Sequence, residues 1–166
     1  MSVAGVSIIL LTSCDAHLDC VAAWHHQECL RQGLSSNLQL RRSRLSLHLQ
    51  GDNIPKSFIA VLNGQLIGCV SLVNYTYKSS AQPMPKVASE HPVWLSNLYV
   101  EPAYRRRGVA QQLINASTHY ARRQSIPELW LSASDYTDYY AKRGWQVVRH
   151  TKLGGVRVNV MHQLLT

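Results

Sequence analysis

YRRRGVAQQLI, residues 104–114, sets three arginines directly before a glycine, a small residue and an apolar helical pattern. Just upstream, LSNLYVEP (residues 95–102) reads as a strand that a proline stops. The order is therefore strand, proline, arginines, glycine, helix. A helix N-terminus carries unpaired backbone N–H groups and a partial positive charge, so it is an anion site before any side chain is counted. Arginines there oppose the helix dipole by about a few tenths of a kcal/mol, which leaves them misplaced unless an anion is bound. Gly108 and the small Ala110 let a bulky anion approach the backbone, and arginines add charge-assisted bonds to phosphate oxygens. On this reading residues 105–110 hold a pyrophosphate. The alternative is a solvated basic patch.

Working outward, residues 6–12 read as a first strand. Asp15 is the expected N-cap of a helix over 16–32, with Leu18, Val21, Ala22, Cys29 and Leu30 near one stripe and Gly33 as its stop. Residues 38–48 read as a second helix, basic through Arg41, Arg42 and Arg44. Strands over 57–62 and 66–77 meet across the hairpin turn Asn63-Gly64. The proline-rich stretch 78–92 reads as a loop, and 93–100 as a strand. Residues 108–124 keep a helical period with Val109, Leu113, Ile114, Ser117, Tyr120 and Ala121 inward. A strand over 129–133, a short helix over 135–142 and an antiparallel pair, 145–150 with 156–163, close the chain. The order β-α-α-β-β-β-α-β-α-β-β, without repeat or linker, predicts one α/β domain over residues 1–166.

Seventeen Lys and Arg against nine Asp and Glu give a net charge of +8, which predicts an anionic ligand or partner without choosing one. The aromatic residues do not interleave with the basic ones, so nucleic acid is not expected. Residues 6–11 are too short an apolar run to span a bilayer, and no signal-type segment opens the chain. Cys14, Cys20, Cys29 and Cys69 form no CxxC pair, so reduced thiols in a cytoplasmic protein are expected. His25 and Cys29 share a helix face. Two ligands do not make a metal site, so they read as helix packing and no metal is expected.

Two motifs carry a resemblance. Arg105-x-x-Gly108-x-Ala110 after its strand resembles the acetyl-CoA pyrophosphate loop of the GNAT superfamily of acyltransferases, and YYAKRGW (residues 139–145) resembles that family's FYxxxGF segment. Their separation and the strand order agree with the family along the whole chain. The resemblance implies an α/β (α+β) GNAT fold: a mixed, mostly antiparallel, six- to seven-stranded V-shaped sheet flanked by about four helices. The sheet would be splayed between its fourth and fifth strands. Pantetheine would lie in that cleft against the backbone of Leu98, Tyr99 and Val100, as an extra strand would. Arg105, Arg106, Arg107, Gly108, Val109 and Ala110 would wrap the pyrophosphate. The expected partners are acetyl-CoA, as co-substrate, and an amine acceptor; relatives imply a monomer or homodimer.

Acyl transfer to an amine needs a neutral nucleophile, a donor for the oxyanion and a proton for the leaving thiolate. The resemblance makes Tyr140 the acid and the Leu98 N–H the oxyanion donor, while Tyr139 reads as core. The family's carboxylate base on the fourth strand is missing. Alternation puts Trp94, Ser96 and Leu98 on one face, and the expected base positions hold Trp94 and Ser96. Three routes remain open: a water chain anchored on Ser96 or Asn97; Glu28, Glu90 or His91 reaching in; or an acceptor of low pKa. Near pH 7 an α-amine is neutral about a few hundred times more often than a lysine, so an N-terminal α-amine or a small acidified amine fits.

The family's asparagine after the fifth strand is also missing; Ser134 or Asp135 takes its place, with Asp135 expected to cap the helix. Trp24, Glu28, Trp94 and Ser96 are the expected acceptor-pocket residues, Trp24 either as an aromatic wall or as core. PVWLSNLYV and RRSRL further resemble bacterial GNAT proteins of unassigned substrate and, more distantly, the actin N-terminal acetyltransferase; Arg41, Arg42 and Arg44 either line the acceptor side or form a solvated face. The leading expectation is an N-acetyltransferase for a small-molecule amine or a peptide N-terminus. The alternative is a non-catalytic acyl-CoA-binding domain.

Overall fold

The computed structural model describes residues 5–50, 54–74, 92–153 and 155–165. In chain order these form β1 (Ser7–Leu10), α1 (Asp15–Arg31), α2 (Leu38–Ser46), β2 (Lys56–Leu62), β3 (Gln65–Asn74), β4 (Val93–Val100), α3 (Val109–Arg123), β5 (Glu128–Ala133), α4 (Thr137–Ala141), β6 (Gln146–Leu153) and β7 (Val156–Leu164). This is the expected order. The seven strands make one mixed sheet, β1-β2-β3-β4-β5-β7-β6. Every neighbouring pair is antiparallel except β4 with β5, which run parallel.

Helices cover both faces. α3 lays the predicted stripe, Val109, Leu113, Ile114, Ser117, Tyr120 and Ala121, on one side, against Phe58, Ile67, Val70, Leu72, Leu95 and Leu129. On the other side α1 and α2 pack Leu18, Val21, Ala22, Trp24 and Leu45 onto Ile59 and Cys69. The predicted α1 stripe is shifted. Leu30 is 54% exposed, while Trp24 and His25 are buried, because the sheet is met by the 18-21-22-25 face of the helix.

Several local expectations are corrected. Asp15 is not the N-cap of α1; Cys14 holds that place without a side-chain bond, and Asp15 instead pairs with Arg42. Asn37 caps α2 by accepting from the Leu40 N–H at 3.0 Å, and the helix tightens into a 3-10 turn at Leu47–Leu49. Tyr136, not Asp135, precedes α4. Residues 75–77, expected to continue β3, and most of the expected 78–92 loop lie outside the described residues.

β4 holds the largest departure. Ser71 on β3 pairs with Ser96, but Cys69 pairs with Tyr99, so two strand positions on β4, Asn97 and Leu98, face a single one on β3. This is a β-bulge, and Asn97 takes the left-handed φ of 56°. The extra residue reverses the alternation. Trp94 and Ser96 face the α1 side, whereas Leu98 packs into the α3-side core with Val100. The expectation that Trp94, Ser96 and Leu98 share one face is therefore wrong.

A cleft between the two halves of the sheet

β4 and β5 share a single register pair, Trp94 with Trp130, whose rings lie 6.0 Å apart. Beyond that contact a cleft of about 400 Å³ opens between residues 95–99 of β4, residues 131–135 at and just after the end of β5, and α1. The β4 backbone along it has no β5 partner in register beyond Trp94, and Asn97 and Leu98 have none on β3 either. Among the described residues this strand edge is open to an extended ligand carrying amide groups, which a bare edge binds as it would another strand.

Of the residues expected at the site, Trp24, Glu28, Trp94, Ser96, Leu98, Tyr99, Ser134 and Tyr140 all line this one cleft. Trp24 is both a core residue and a cleft residue. It is 6% exposed, belongs to the α1-side core, and stacks on Tyr99 with centroids 4.9 Å apart at the wall of the cleft. Tyr140 reaches the cleft from α4, its ring edge-on to Tyr139 and Trp145. Burial first, then Tyr139 and Tyr136, pushes its phenol up to about 12, so the group is a protonated donor across the working range of pH. Tyr139, half-buried, carries the Arg143 guanidinium 3.6 Å above its ring centroid, consistent with packing.

Glu28 reaches the cleft, but its carboxylate is paired with Arg31 at 3.0 Å. Glu90 and His91 lie outside the described residues. Arg41 and Arg42 do not line the cleft: Arg41 donates to Cys29 Sγ at 2.7 Å and Ser36 at 3.2 Å, and Arg42 holds Asp19 at 2.6 Å and Asp15 at 2.9 Å. Arg44 is exposed on α2. His25 and Cys29 part company as well, since the His25 ring lies 4.0 Å from Cys69 Sγ instead. No group of three metal-ligating side chains occurs among the described residues, and no described helix is long and apolar enough to cross a membrane.

The sequence reading missed His25 as a cleft residue. It lines the cleft beside Trp24 and Glu28. Burial, then Arg41 and His48, lowers the imidazole to about 4, so it stands neutral near pH 7. The available signal was its place in WHHQE, one residue from Trp24 and three from Glu28 on the same helix face.

The arginine loop leaves β4 through the Glu101 N–H bond to Ile67 O at 2.8 Å. Arg106 and Gly108 then take left-handed φ values of 63° and 82°. Gly108 is the N-cap of α3 and supplies no side-chain cap, so the first-turn N–H groups keep their capacity for an anion. Arg105 behaves differently from its neighbours. Its Nε donates to Val100 O at 2.7 Å and its guanidinium sits 5.5 Å from the Tyr99 ring centroid, tying the loop back to β4. Arg106 and Arg107 are exposed. The donors present fit a pyrophosphate, and the open strand edge fits the amide-bearing arm that would precede it.

Residues 20–145 match the acetyltransferase (GNAT) family, about three quarters of the chain. No curated protein sequence matches at a significant level. Among solved structures, N-acetylglutamate synthase from Neisseria gonorrhoeae, complexed with coenzyme A and N-acetyl-glutamate, is 20% identical with a TM-score of 0.69 over 99% of this chain and 36% of that one. The chain thus spans about a third of the synthase. An acyl-CoA N-acyltransferase from Pseudomonas aeruginosa is 17% identical with a TM-score of 0.66, over 95% of this chain and 97% of that one. A chain of the NatC complex bound to Gag peptide and CoA is 16% identical with a TM-score of 0.68, over the full length of both. At these identities the likeness is one of fold.

Proposed function

The chain belongs to the GNAT family of acetyltransferases, and from that premise we propose that it is an acetyl-CoA-dependent N-acetyltransferase of a primary amine, on a small molecule or a peptide N-terminus. The observation that carries the reading is the cleft itself: β4 lines it from Trp94 to Tyr99 with no β5 partner in register beyond Trp94, Tyr140 lines it as well, and the same strand leads on into the loop before the uncapped N-terminus of α3.

Each residue then has a task. The first-turn N–H groups of α3, with Arg106, Arg107 and Gly108, bind the pyrophosphate. Arg105 fixes the loop to Val100. The backbone of Leu98, Tyr99 and Val100 aligns the pantetheine arm, with Ser134 at the opposite wall. The thioester carbonyl lies against the bulge, where the Leu98 N–H serves the developing oxyanion. Trp24, Trp94, Ser96 and the Glu28–Arg31 pair surround the acceptor amine, which attacks directly in a ternary complex. Tyr140 donates to the departing sulfur.

The test is a calorimetric titration of the protein with acetyl-CoA beside Arg106→Ala/Arg107→Ala, followed by thiol release with a panel of amines. Binding that the double variant weakens at least tenfold, with amine-dependent thiol release, is the expected result. Binding without turnover of any amine would replace the transferase with a non-catalytic acyl-CoA-binding domain. No binding would sink both.

A further inference from the structure

Where α1 and α2 cover the sheet, it presents the apolar Ile59, Val61 and Cys69 and one row of hydroxyls. Ser57 on β2 stands opposite Ser71 on β3, and Ser71 stands opposite Ser96 on β4. Three adjacent strands thus place serine at the same level on the same face. Ser57 is 1% exposed and Ser71 fully buried, between the apolar Ile59 and Cys69 of the same strands. Alanine would fill those positions without a polar group to satisfy, so packing does not call for the hydroxyls.

The row is bonded. His48 Nδ1 lies 2.7 Å from Ser57 Oγ, and Ser57 Oγ lies 2.6 Å from Ser71 Oγ. Ser96 is the next residue across in register from Ser71, at the Cβ separation of about 4.5–5.5 Å that directly opposed residues keep; no hydrogen bond joins the two hydroxyls in this structure, so Ser96 Oγ must turn toward Ser71 to complete the row. Ser96 lines the cleft. At the far end His48 sits on the 3-10 turn after α2, half-buried, and its other ring nitrogen makes no hydrogen bond among the described residues.

We propose that Ser96, Ser71, Ser57 and His48 form a proton relay that carries the acceptor amine's proton from the cleft, across three strands, to solvent. The inference rests on the transferase reading and supplies the proton path that the absent β4 carboxylate leaves open. Before the C–N bond forms, the bound ammonium's N–H breaks toward Ser96 Oγ, so that the amine attacks neutral; the proton that the nitrogen loses after attack goes to the departing thiolate. Each serine accepts one proton and passes its own along, to Ser71, Ser57 and then His48 Nδ1. His48 releases its Nε2 proton to water. No electrons change hands, and the row resets by hydroxyl rotation and exchange of the ring proton with solvent.

Lys56 Nζ donates to His48 O and Gln50 O at 3.4 Å each, and His25 faces the same region from α1 with Arg41 behind it. Burial and the Lys56 charge lower His48 to about 4. The ring therefore passes a proton on and does not store it.

Ser71→Ala cuts the row in its middle without touching the cleft, and Ser71→Thr restores a hydroxyl. Native protein and both variants are compared in kcat/KM against pH, using the best acceptor among a blocked lysine, a tripeptide α-amine and benzylamine. Acetyl-CoA affinity and Tm serve as controls of the fold. The expected result is a loss of at least tenfold in Ser71→Ala below the acceptor's pKa, shrinking as pH rises toward it, and recovery in Ser71→Thr. His48→Gln reproduces the loss. A native-like profile in Ser71→Ala, or a loss equal at every pH, overturns the relay while leaving the transferase standing. Acetyl-CoA binding by native protein without turnover of any amine removes the transferase reading, and the relay with it.

Discussion

Tyr140→Phe tests the assignment of the acid most directly. The substitution removes one oxygen and keeps the ring, whose centroid stays 5.4 Å from Tyr139 and 6.0 Å from Trp145. The phenol makes no hydrogen bond among the described residues, so stability should change by less than about 0.5 kcal/mol. Catalysis should change more. A phenol pushed up to about 12 is a poor source of a full proton for a thiolate, whose conjugate acid titrates near 8.5. On the proposed mechanism Tyr140 therefore stabilises the departing sulfur by hydrogen-bond donation ahead of proton transfer. A bond to a charged acceptor contributes about 1.5–3 kcal/mol, which corresponds to a fall in kcat of about ten- to a hundredfold at unchanged acetyl-CoA affinity. The kcat profile should carry no alkaline limb from this group below about pH 10. Steady-state thiol release across pH 6–10 reads both quantities. A kcat within twofold of native would remove Tyr140 from the chemistry. A loss beyond about a thousandfold, with an alkaline limb near pH 8 that vanishes in the variant, would show complete proton transfer from a phenol far more acidic than its burial allows.

Three further outcomes are expected. In Gly68→Ala the new Cβ would lie 2.8 Å from the Tyr99 carbonyl and 3.2 Å from Leu113 Cδ1; backbone on the cofactor strand cannot yield cheaply, so urea denaturation should show a loss of about 1–3 kcal/mol together with weaker acetyl-CoA binding, and an unchanged midpoint would refute the packing. Because His25 is lowered to about 4 in the fold, between pH 6.5 and 4 the unfolded chain binds a proton that the folded chain refuses; stability is then full above pH 6.5 and falls on acidification by about 1.4 kcal/mol per pH step from this group, a slope that His25→Asn should reduce in urea titrations at pH 7 and 5. Among acceptors, kcat/KM at pH 7 should favour a peptide α-amine over a blocked lysine by about a hundredfold, with the gap closing toward pH 10 as lysine loses its proton; a gap independent of pH would place the selectivity in contacts, not in basicity.

Much of this architecture was legible because it follows from local periodicity. The α3 stripe, the Asn63-Gly64 hairpin and the strand–arginine–glycine–helix order each depend on residues close in sequence, and each stands as read. What escaped depends on partners far away. Nothing in VWLSNLYV marks Asn97 as a bulge; the extra residue exists only relative to β3. Arg41 and Arg42 read as free charge, because Cys29, Asp15 and Asp19 come to them through the packing of α2 on α1. His25 was paired with Cys29 on helical spacing alone, while the fold turns it toward Cys69 on β3. The cap of α4 was misplaced for a smaller reason: Asp135 and Tyr136 are adjacent, and helix ends shift readily by a residue.

The bulge is also what makes one strand serve two purposes. On a regular β4, Leu98 would follow Ser96 on the α1 face and fill the acceptor side with an apolar side chain. The extra residue sends Leu98 to the α3-side core, returns Tyr99 to the α1 face against Trp24, and leaves the Asn97-Leu98 backbone without a β3 partner at the level where β5 has already departed. A left-handed Asn97 is mildly unfavourable by itself. Its carbonyl is met by Cys69 Sγ at 3.5 Å, two positions from Ser71 on the same strand. The distortion that bares the backbone proposed to hold the acyl donor thus sits beside the serine row proposed to drain the acceptor's proton. Asn97→Gly separates the two contributions: glycine adopts the left-handed φ without strain, so the bulge, the cleft and the pH profile of turnover should all persist. Loss of turnover in a variant of native stability would show that the Asn97 side chain itself, and not only its backbone, takes part.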